Sequence, residues 1–379
     1  MSAYPSGLRV LVAPDKFKGS LDSAAAGAAI RRGWLRERPQ DEVRCLILSD
    51  GGEGFVDAFE CATGGKRVRG EATDPLGRAI TADWLMFGER DAAVAVIESC
   101  AAIGLHLMHS GERDPLHAST AGVGTMMLDA ARRGARRLIV GLGGSGTNDG
   151  GIGMAASLGF RFLDRHGREL PAIPLSLDRI ARIAAPGSTM LPPVTAATDV
   201  DHPLAGPRGA TRVFGPQKGV RQEDIDRLDD GLARLAGRVK TDLGIDAADL
   251  PGSGAAGGLG FGMIAFCGAV MASGFDLLAQ AFALEDHIRA SDIVITGEGR
   301  LDAQSLAGKA PVALARLCRV HGRQVIALPG QVDPSVDFTG CFDRILPLAE
   351  LCGDPSDRMS RAVEWLAHAS ATAASETPD

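Results

Sequence analysis

The strongest constraint on the fold is an alternation of short apolar runs with longer amphipathic or alanine-rich stretches along the 379 residues. Each of five runs rich in Val, Ile and Leu stops at glycine or polar residues. This order is typical of an α/β protein with a largely parallel sheet. The five predicted strands lie at residues 8–12, 43–48, 138–140, 293–295 and 325–328.

The order of the predicted elements indicates two domains, which the chain length also allows at roughly 150 residues per domain. Three strand-like runs at 66–69, 80–87 and 93–97 follow one another without a helix and predict an antiparallel patch. Strand–helix units return after about residue 290, so we expect one domain over 1–66 plus 290–379 and an inserted α/β domain over 67–289. Apolar spacing and capping residues predict helices at 22–38, 120–133, 223–243, 259–272, 304–321 and 357–369.

Charge and composition restrict the partners that this chain can have. The formal charge of −7 and the sequence pI of about 5.7 argue against a nucleic-acid binder. No run of 18 apolar residues and no basic leader followed by an apolar stretch occurs, so neither a membrane partner nor export is expected and the predicted location is cytoplasmic. Seven cysteines without metal-ligand spacing are interpreted as buried, reduced thiols.

The densest glycine signal lies at residues 141–153, where seven of thirteen positions are glycine directly after a predicted strand. Backbone N–H groups exposed in such a loop form a cradle for an anion, and a following helix N-terminus strengthens it. A glycine-rich packing turn is the alternative. Asp149 could face a magnesium ion. The residues predicted to contact phosphate or substrate are Gly143, Gly144, Ser145, Gly146, Thr147 and Asn148.

The same loop fits a dinucleotide fingerprint, which makes an NAD-dependent dehydrogenase the runner-up. The glycines at 141, 143 and 146 have the required spacing, and Asp164 follows eighteen residues after the last of them. A second match at 252–257 follows a loop and not a strand, which shows how readily 49 glycines produce the pattern by chance. Residues 252–260 are either a second phosphate-binding turn or a close helix-packing site. Walker A, HExxH and GxSxG motifs are absent.

Charged residues follow the first predicted strand at the point where it ends. In open α/β sheets ligands bind beyond the carboxyl ends of the strands. Asp15, Lys16 and Lys18 stand there, and lysine is a compact cation suited to carboxylate or phosphate. A solvated charged turn is the alternative interpretation of this loop.

Two further strand ends carry acids. Asp199 follows the apolar run 194–197 and is suited to act as a base or a metal ligand. Glu298, Arg300 and Asp302 lie in one loop after 293–295 and offer a cation together with metal ligands. The alternative for the loop after 194–197 is a turn, and the alternative for the loop after 293–295 is an internal salt-bridge network.

Five separate motifs together resemble the type I glycerate kinases. They are APDKFKGSL at 13–21, DGGEG at 50–54, GGSGTNDGG at 143–151, FGPQKG at 214–219 and TGEGRLD at 296–302. They stand in the right order and cover essentially the whole chain.

The resemblance implies phosphorylation of D-glycerate by ATP with Mg²⁺, at the 2-hydroxyl, to give 2-phosphoglycerate. It also implies a discontinuous Rossmann-like α/β domain around an inserted α/β domain, with the active site in the interdomain cleft. A glycerate 3-kinase, a kinase of a related small hydroxy acid and, in a different class, a non-catalytic sugar-acid sensor remain open. We expect a monomer or a homodimer.

A mechanism follows as a hypothesis from these residues. Lys16, Lys18 and Arg300 hold anionic oxygens of glycerate and ATP, the 143–149 loop wraps phosphate or substrate, and Asp199 orients the attacking hydroxyl. Lys18 and Asp199 are thus the predicted catalytic residues. The other predicted residues are Asp15 and Glu298 for binding, and Asp149 and Asp302 for the metal.

Overall fold

The computed structural model describes residues 7–49, 51–187, 191–306 and 308–378. Its chain divides into two compact units, and the α/β class predicted from the sequence is confirmed. Unit 1 is formed by Met1–Asp50, Cys61–Thr63 and Phe275–Asp379, and unit 2 by Gly51–Glu60 and Gly64–Gly274. The domain boundaries at 66/67 and 289/290 stay a prediction. No helix among the described residues combines the length and apolar character needed to cross a membrane.

The described strands are short. In chain order they are β1 (Arg9–Val12), β2 (Glu42–Cys45), β3 (Lys66–Thr73), β4 (Ala79–Phe87), β5 (Val94–Glu98), β6 (Arg137–Gly141), β7 (Arg161–Leu163), β8 (Arg182–Ala184), β9 (Val194–Ala197), β10 (Val270–Ala272), β11 (Ile293–Thr296), β12 (Arg300–Leu301), β13 (Gln324–Ala327), β14 (Gln331–Val332) and β15 (Arg344–Ile345). All five strands predicted from apolar runs are present, with ends shifted by up to three residues.

The described helices connect these strands. They are α1 (Ser23–Glu37), α2 (Phe55–Thr63), α3 (Cys100–Ile103), α4 (Ala121–Arg132), α5 (Ile152–Ser157), α6 (Ala210–Phe214), α7 (Gln222–Leu243), α8 (Ala255–Cys267), α9 (Gly274–Phe282), α10 (Leu284–Ala290), α11 (Ala303–Leu306), α12 (Ala310–Val320), α13 (Leu348–Leu351), α14 (Pro355–Ser360) and α15 (Ala362–Ser375).

Unit 1 contains a five-stranded parallel sheet in the order β15-β13-β11-β1-β2. From β1 the chain moves to β2 on one side, whereas β11, β13 and β15 lie on the other. The strand order therefore reverses between β1 and β11, and such a switch point is where open α/β sheets bind ligands.

Helix packing holds unit 1 together. The Asp22 carboxylate caps α1 by accepting the Ala25 N–H at 2.7 Å. Ile30 and Trp34 of α1 are fully buried in the same cluster as residues of α15. A Cβ atom built on Gly33 would lie 2.0 Å from the Ala367 carbonyl oxygen, so only glycine lets these two helices approach.

Unit 2 contains a six-stranded sheet in the order β10-β9-β6-β5-β4-β3. The predicted antiparallel patch is confirmed, because β3 pairs antiparallel with β4 and β4 with β5. The other neighbours are parallel, so β5, β6, β9 and β10 have their carboxyl ends at one edge of the sheet. The order follows the sequence without a reversal, and the core includes the fully buried Trp84, Ile97, Val140 and Phe261.

Three helix predictions differ from the structure at identifiable breaks. The helix predicted over 259–272 ends at Cys267 because Gly268 has a φ of +62°, and residues 270–272 form β10 instead. The helix predicted over 304–321 is two helices, with Gly308 at a φ of +121° between them and residue 307 outside the described part. The helix predicted over 357–369 is likewise divided, at Arg361.

The cysteine prediction is partly wrong. All seven thiols are free, but Cys45 and Cys61 are exposed, whereas Cys100, Cys318 and Cys352 are buried. Burial raises the pKa of Cys318 to about 12. A solvent-facing cysteine on a strand or helix carries no pattern that distinguishes it from a core position.

Candidate active site

In unit 1, the loops that follow β1, β11 and β13 are tied to one another at the switch point. Asp15 donates its backbone N–H to the Gly297 carbonyl at 2.8 Å, and Gly330 donates to the Glu298 carbonyl at 2.9 Å. A Cβ atom built on Gly330 would lie 2.5 Å from the Gly299 carbonyl oxygen. The three loops therefore form one layer, and glycine is required where their backbones meet.

Two buried acids stand in this layer. The Asp15 carboxylate accepts the Lys16 backbone N–H at 2.7 Å. The Glu298 carboxylate accepts the Ser305 hydroxyl at 2.7 Å, and its other oxygen lies 4.0 Å from the Lys309 ammonium. Because Asp15 and Glu298 follow neighbouring parallel strands, the predicted binding residues of these two loops lie at one edge of the sheet.

The predicted cations of unit 1 differ in exposure. Lys18 is exposed and Lys16 is half-buried. Arg300 is half-exposed and forms an ion pair with Asp333 at 2.7 Å. Hydrogen bonds from Ser335 and then from Arg300 lower the pKa of Asp333 to about 2. The Arg300 guanidinium is therefore held in place by an ionised partner.

Asp302 starts α11. One of its carboxylate oxygens accepts the Gln304 N–H at 2.9 Å, and its backbone N–H donates to the Ser305 hydroxyl at 3.1 Å. This is the geometry of a helix cap. The metal role of Asp302 stays a prediction, and capping is the role that its contacts favour.

In unit 2, the glycine-rich loop after β6 packs against the segment that precedes α2. A Cβ atom built on Gly143 would lie 2.5 Å from Gly52 Cα. A Cβ atom built on Gly51 would lie 2.7 Å from the Ala197 carbonyl oxygen. Gly144 is exposed, with a φ of +64°. At the beginning of this loop the surface that faces solvent is therefore backbone, which suits an anion cradle. The first residue of the DGGEG motif, at position 50, lies outside the described residues.

The remainder of the loop is buried against a second glycine tract. A Cβ atom built on Gly257 would lie 2.0 Å from the Thr147 carbonyl oxygen, and one on Gly262 would lie 2.7 Å from Gly151 Cα. Residues 256–258 all have positive φ, so regular helix begins only at Leu259. Of the two interpretations of residues 252–260, these contacts favour close helix packing. Ser145, Thr147, Asn148 and Asp149 are all buried.

Asp149 is the hydrogen-bond centre of this loop. Its carboxylate accepts four bonds: from the Thr120 N–H and hydroxyl, both at 2.8 Å, from the Gly151 N–H at 2.9 Å and from the Gly153 N–H at 3.1 Å. Burial raises the pKa of this carboxyl, and the four donors oppose that shift. Both oxygens are engaged by donors from the starts of α4 and α5. Its metal role stays a prediction, while its contacts favour holding the loop.

We expect Asp149→Asn to lower the free energy of unfolding by about 2 kcal/mol, because the amide would turn a donor toward N–H groups that now have an acceptor. Urea unfolding measures the change. Asp230→Asn, on the exposed side of α7, is the matched control and should leave the free energy of unfolding unchanged. Equal urea midpoints for Asp149→Asn and Asp230→Asn would contradict the role of Asp149 in holding the loop.

Asp199 follows β9 at the carboxyl edge of the unit 2 sheet. Its carboxylate accepts the N–H of Gly274, the first residue of α9, at 3.1 Å, and Asp199 is half-buried. Two residues later, Asp201 is exposed and pairs with Arg208 at 3.3 Å. Asp199 is therefore fixed at the edge where a parallel sheet presents ligands, and Asp201 is a surface residue.

Lys218 is a functional candidate that sequence reasoning missed. Its side chain is buried, with 3% of the residue exposed, and the ammonium donates to the Thr147 carbonyl at 2.7 Å. Burial lowers the pKa of Lys218 to about 7, and attraction to Asp149 opposes that shift. The signal was present as the FGPQKG motif at 214–219, but spacing alone does not distinguish a buried lysine from a solvated one.

The buried Lys218 predicts a pH dependence of stability. The pKa of Lys218 in the folded protein lies below the pKa of this lysine in the unfolded chain. The stability that follows from this difference is fully present above the unfolded pKa and is lost as the pH falls toward about 7. We expect the free energy of unfolding of the wild type to rise, relative to Lys218→Met, by about 2 kcal/mol between about pH 7 and pH 9. Urea unfolding of both proteins across this range measures the difference, and parallel pH curves would contradict it.

The structure thus brings the predicted residues together as two sets. Unit 1 holds Asp15, Lys16, Lys18, Glu298, Arg300 and Asp302, and unit 2 holds Asp199 and the loop from Gly143 to Asp149. Within the described ranges, no group of three or more His, Cys, Asp or Glu side chains is arranged to hold a metal ion. What the two sets offer is cations, buried acids and glycine backbone at the carboxyl edges of parallel sheets.

Comparison with known proteins agrees with this description. The model of the glycerate kinase family matches residues 10–377. The glycerate 2-kinase of Escherichia coli K12 is 39% identical over 335 residues, 87% of each chain, and the glycerate kinase of Bacillus subtilis 168 is 38% identical over 364 residues, 95% of each chain. The crystal structure of a provisionally named glycerate kinase 2 from Salmonella typhimurium LT2 has a TM-score of 0.79 at 36% identity, covering 97% of this chain and 98% of its own.

These matches define an enzyme of the kinase class with an α/β fold. The chain belongs to the glycerate kinase family.

Proposed function

We propose that this kinase transfers the γ-phosphoryl group of ATP to the 2-hydroxyl of D-glycerate, with Mg²⁺, to give 2-phosphoglycerate. The observation that carries the proposal is the layer of lysines and buried acids at the switch point between β1 and β11. A phosphoryl donor needs cations for its phosphates and carboxylates for magnesium. The name of the 39%-identical relative from Escherichia coli, glycerate 2-kinase, supports the choice of hydroxyl.

The residues of unit 1 fit a magnesium nucleotide. Magnesium is usually held by one or two carboxylates together with phosphate oxygens and water. Asp15 and Glu298 supply two buried carboxylates at adjacent strand ends, and Lys16, Lys18 and Arg300 supply positive charge beside them. The ion, when bound, neutralises charge on the phosphates. We assign it to Asp15 and Glu298 in preference to Asp149, whose oxygens already accept four hydrogen bonds.

The residues of unit 2 fit the acceptor. Asp199 is the proposed group that orients the attacking hydroxyl and takes its proton. Its carboxylate lies at the carboxyl edge of the sheet, and a hydrogen bond fixes its orientation there. The Gly274 N–H fixes one of its oxygens. The backbone of the half-buried Gly143 and the exposed Gly144 is the proposed cradle for anionic oxygens.

The dehydrogenase alternative gains no support from the geometry. The loop after β6 carries the fingerprint glycines, but the unit 2 sheet runs in sequence order and has no switch point beside β6. Gly146 is buried, and its N–H donates to the Ile103 carbonyl at 2.7 Å, so this fingerprint N–H does not face a ligand. The oligomeric state and the cytoplasmic location stay predictions.

An ADP-release assay tests the proposed reaction class. We expect ADP release to require D-glycerate and Mg²⁺ together, and to fall by about 10²-fold or more with D-lactate, which lacks the 3-hydroxyl. Glycerate binding without ATP consumption would instead identify a sensor. Turnover with D-lactate as fast as with D-glycerate would instead indicate a kinase of another hydroxy acid.

A further inference from the structure

Three buried polar side-chain atoms without a hydrogen-bond partner lie around one buried lysine. Buried polar atoms are nearly always paired, so each exception in a native structure needs an explanation. Among the described residues the unpaired atoms include Arg113 Nε, Thr147 Oγ1 and Asn148 Oδ1. All three residues contact the segment Thr211–Gly219, which contains Lys218.

Hydrogen bonds make this cluster continuous. The Lys218 ammonium donates to the Thr147 carbonyl at 2.7 Å, and the Asn148 amide donates to the Thr211 hydroxyl at 2.9 Å. The Arg113 guanidinium donates to the carbonyl of residue 217 at 3.2 Å. The two cations are thus held by carbonyl oxygens of neighbouring backbone, and neither contact involves a carboxylate.

The chemistry of the four side chains matches a small hydroxy acid. An ammonium and a guanidinium bind a carboxylate through charge-assisted hydrogen bonds. A threonine hydroxyl and an asparagine carbonyl oxygen accept hydrogen bonds from alcohol groups. We propose that Lys218, Arg113, Thr147 and Asn148 form the subsite that binds the carboxylate and a hydroxyl of the acid substrate, an inference that rests on the proposed function.

Access to this subsite is from the side of Arg113. Arg113 is half-buried, whereas Lys218, Thr147 and Asn148 are buried, so the cluster reaches the surface at the guanidinium. Exclusion of water from the closed cluster strengthens the attraction between the cations and a bound carboxylate.

Calorimetric titration with D-glycerate alone, without nucleotide, tests the subsite. We expect Lys218→Met and Arg113→Gln each to raise the Kd for D-glycerate by at least about 10-fold, the usual scale for losing a charge-assisted hydrogen bond. The Kd for a non-hydrolysable ATP analogue should stay within about twofold of the wild type. Matched controls are Lys240→Met and Arg133→Gln, both exposed cations of unit 2, which should bind glycerate like the wild type.

The outcomes separate this inference from the proposed function. Folded Arg113→Gln and Lys218→Met proteins that bind glycerate with wild-type affinity would overturn the subsite and leave the kinase assignment standing. A wild type that neither binds nor phosphorylates glycerate would overturn both. Should Lys218→Met not fold, Arg113→Gln decides the matter, because Arg113 is only half-buried, whereas Lys218 is buried.

Discussion

Asp199→Asn is expected to lower kcat for glycerate phosphorylation by about 10²-fold or more, the scale of losing a proton acceptor. The amide still offers an oxygen to the Gly274 N–H, so this contact is kept and the fold is preserved. What the variant loses is the negative charge and the capacity to take the hydroxyl proton. Steady-state ADP release at saturating ATP and glycerate measures the effect.

Asp201→Asn is the matched control, because Asp201 lies two residues away and its side chain is 62% exposed. Its kcat should stay within about twofold of the wild type. A folded Asp199→Asn protein, with unchanged thermal unfolding and a kcat like that of the control, would remove Asp199 from the mechanism. The unit 2 loop would then have to supply the group that orients the hydroxyl.

Gly257→Ala is expected to lower the free energy of unfolding by about 4 kcal/mol. The residue has a φ of +71°, which costs an alanine about 1–2 kcal/mol. Its new Cβ atom would lie 2.0 Å from the Thr147 carbonyl oxygen and 2.8 Å from Asn148 Cα, and both are backbone atoms that do not move aside as a flexible side chain would. Overpacking of this kind costs about 1–3 kcal/mol more.

Gly237→Ala is the control for that substitution. Gly237 lies inside α7 with nothing within 4 Å of a built Cβ atom, so alanine should stabilise the helix by about 0.5–1 kcal/mol. Urea unfolding of both variants gives the comparison. A Gly257→Ala protein with the stability of Gly237→Ala would contradict the backbone contact between the two glycine tracts.

Strands and the ends of α1 were predictable because their signals are local. Apolar runs at 8–12 and 293–295 predicted β1 and β11, and the helix predicted over 22–38 is α1 at Ser23–Glu37. The end of α8 also has a local signal, Gly268, but the apolar residues beyond it obscured that signal. Residues 270–272 are apolar like the helix before them, and only their pairing with β9 makes them a strand.

The candidate site was predictable as loops but not as contacts. Spacing indicated that residues 141–153 turn at glycines, yet it did not show which glycines admit a neighbouring backbone and which face solvent. Asp149 was predicted to face a magnesium ion as the acid of the glycine-rich loop, and nothing local reveals its four internal donors. Lys218 was passed over because burial arises from distant residues.

The most direct test of the proposed reaction is ³¹P NMR of the purified protein with ATP, Mg²⁺ and D-glycerate, followed by enolase without any mutase. We predict a 2-phosphoglycerate signal that enolase converts to phosphoenolpyruvate. A 3-phosphoglycerate signal that enolase leaves unchanged would contradict the assigned hydroxyl, and no transfer from ATP by the folded protein would contradict the assigned substrate.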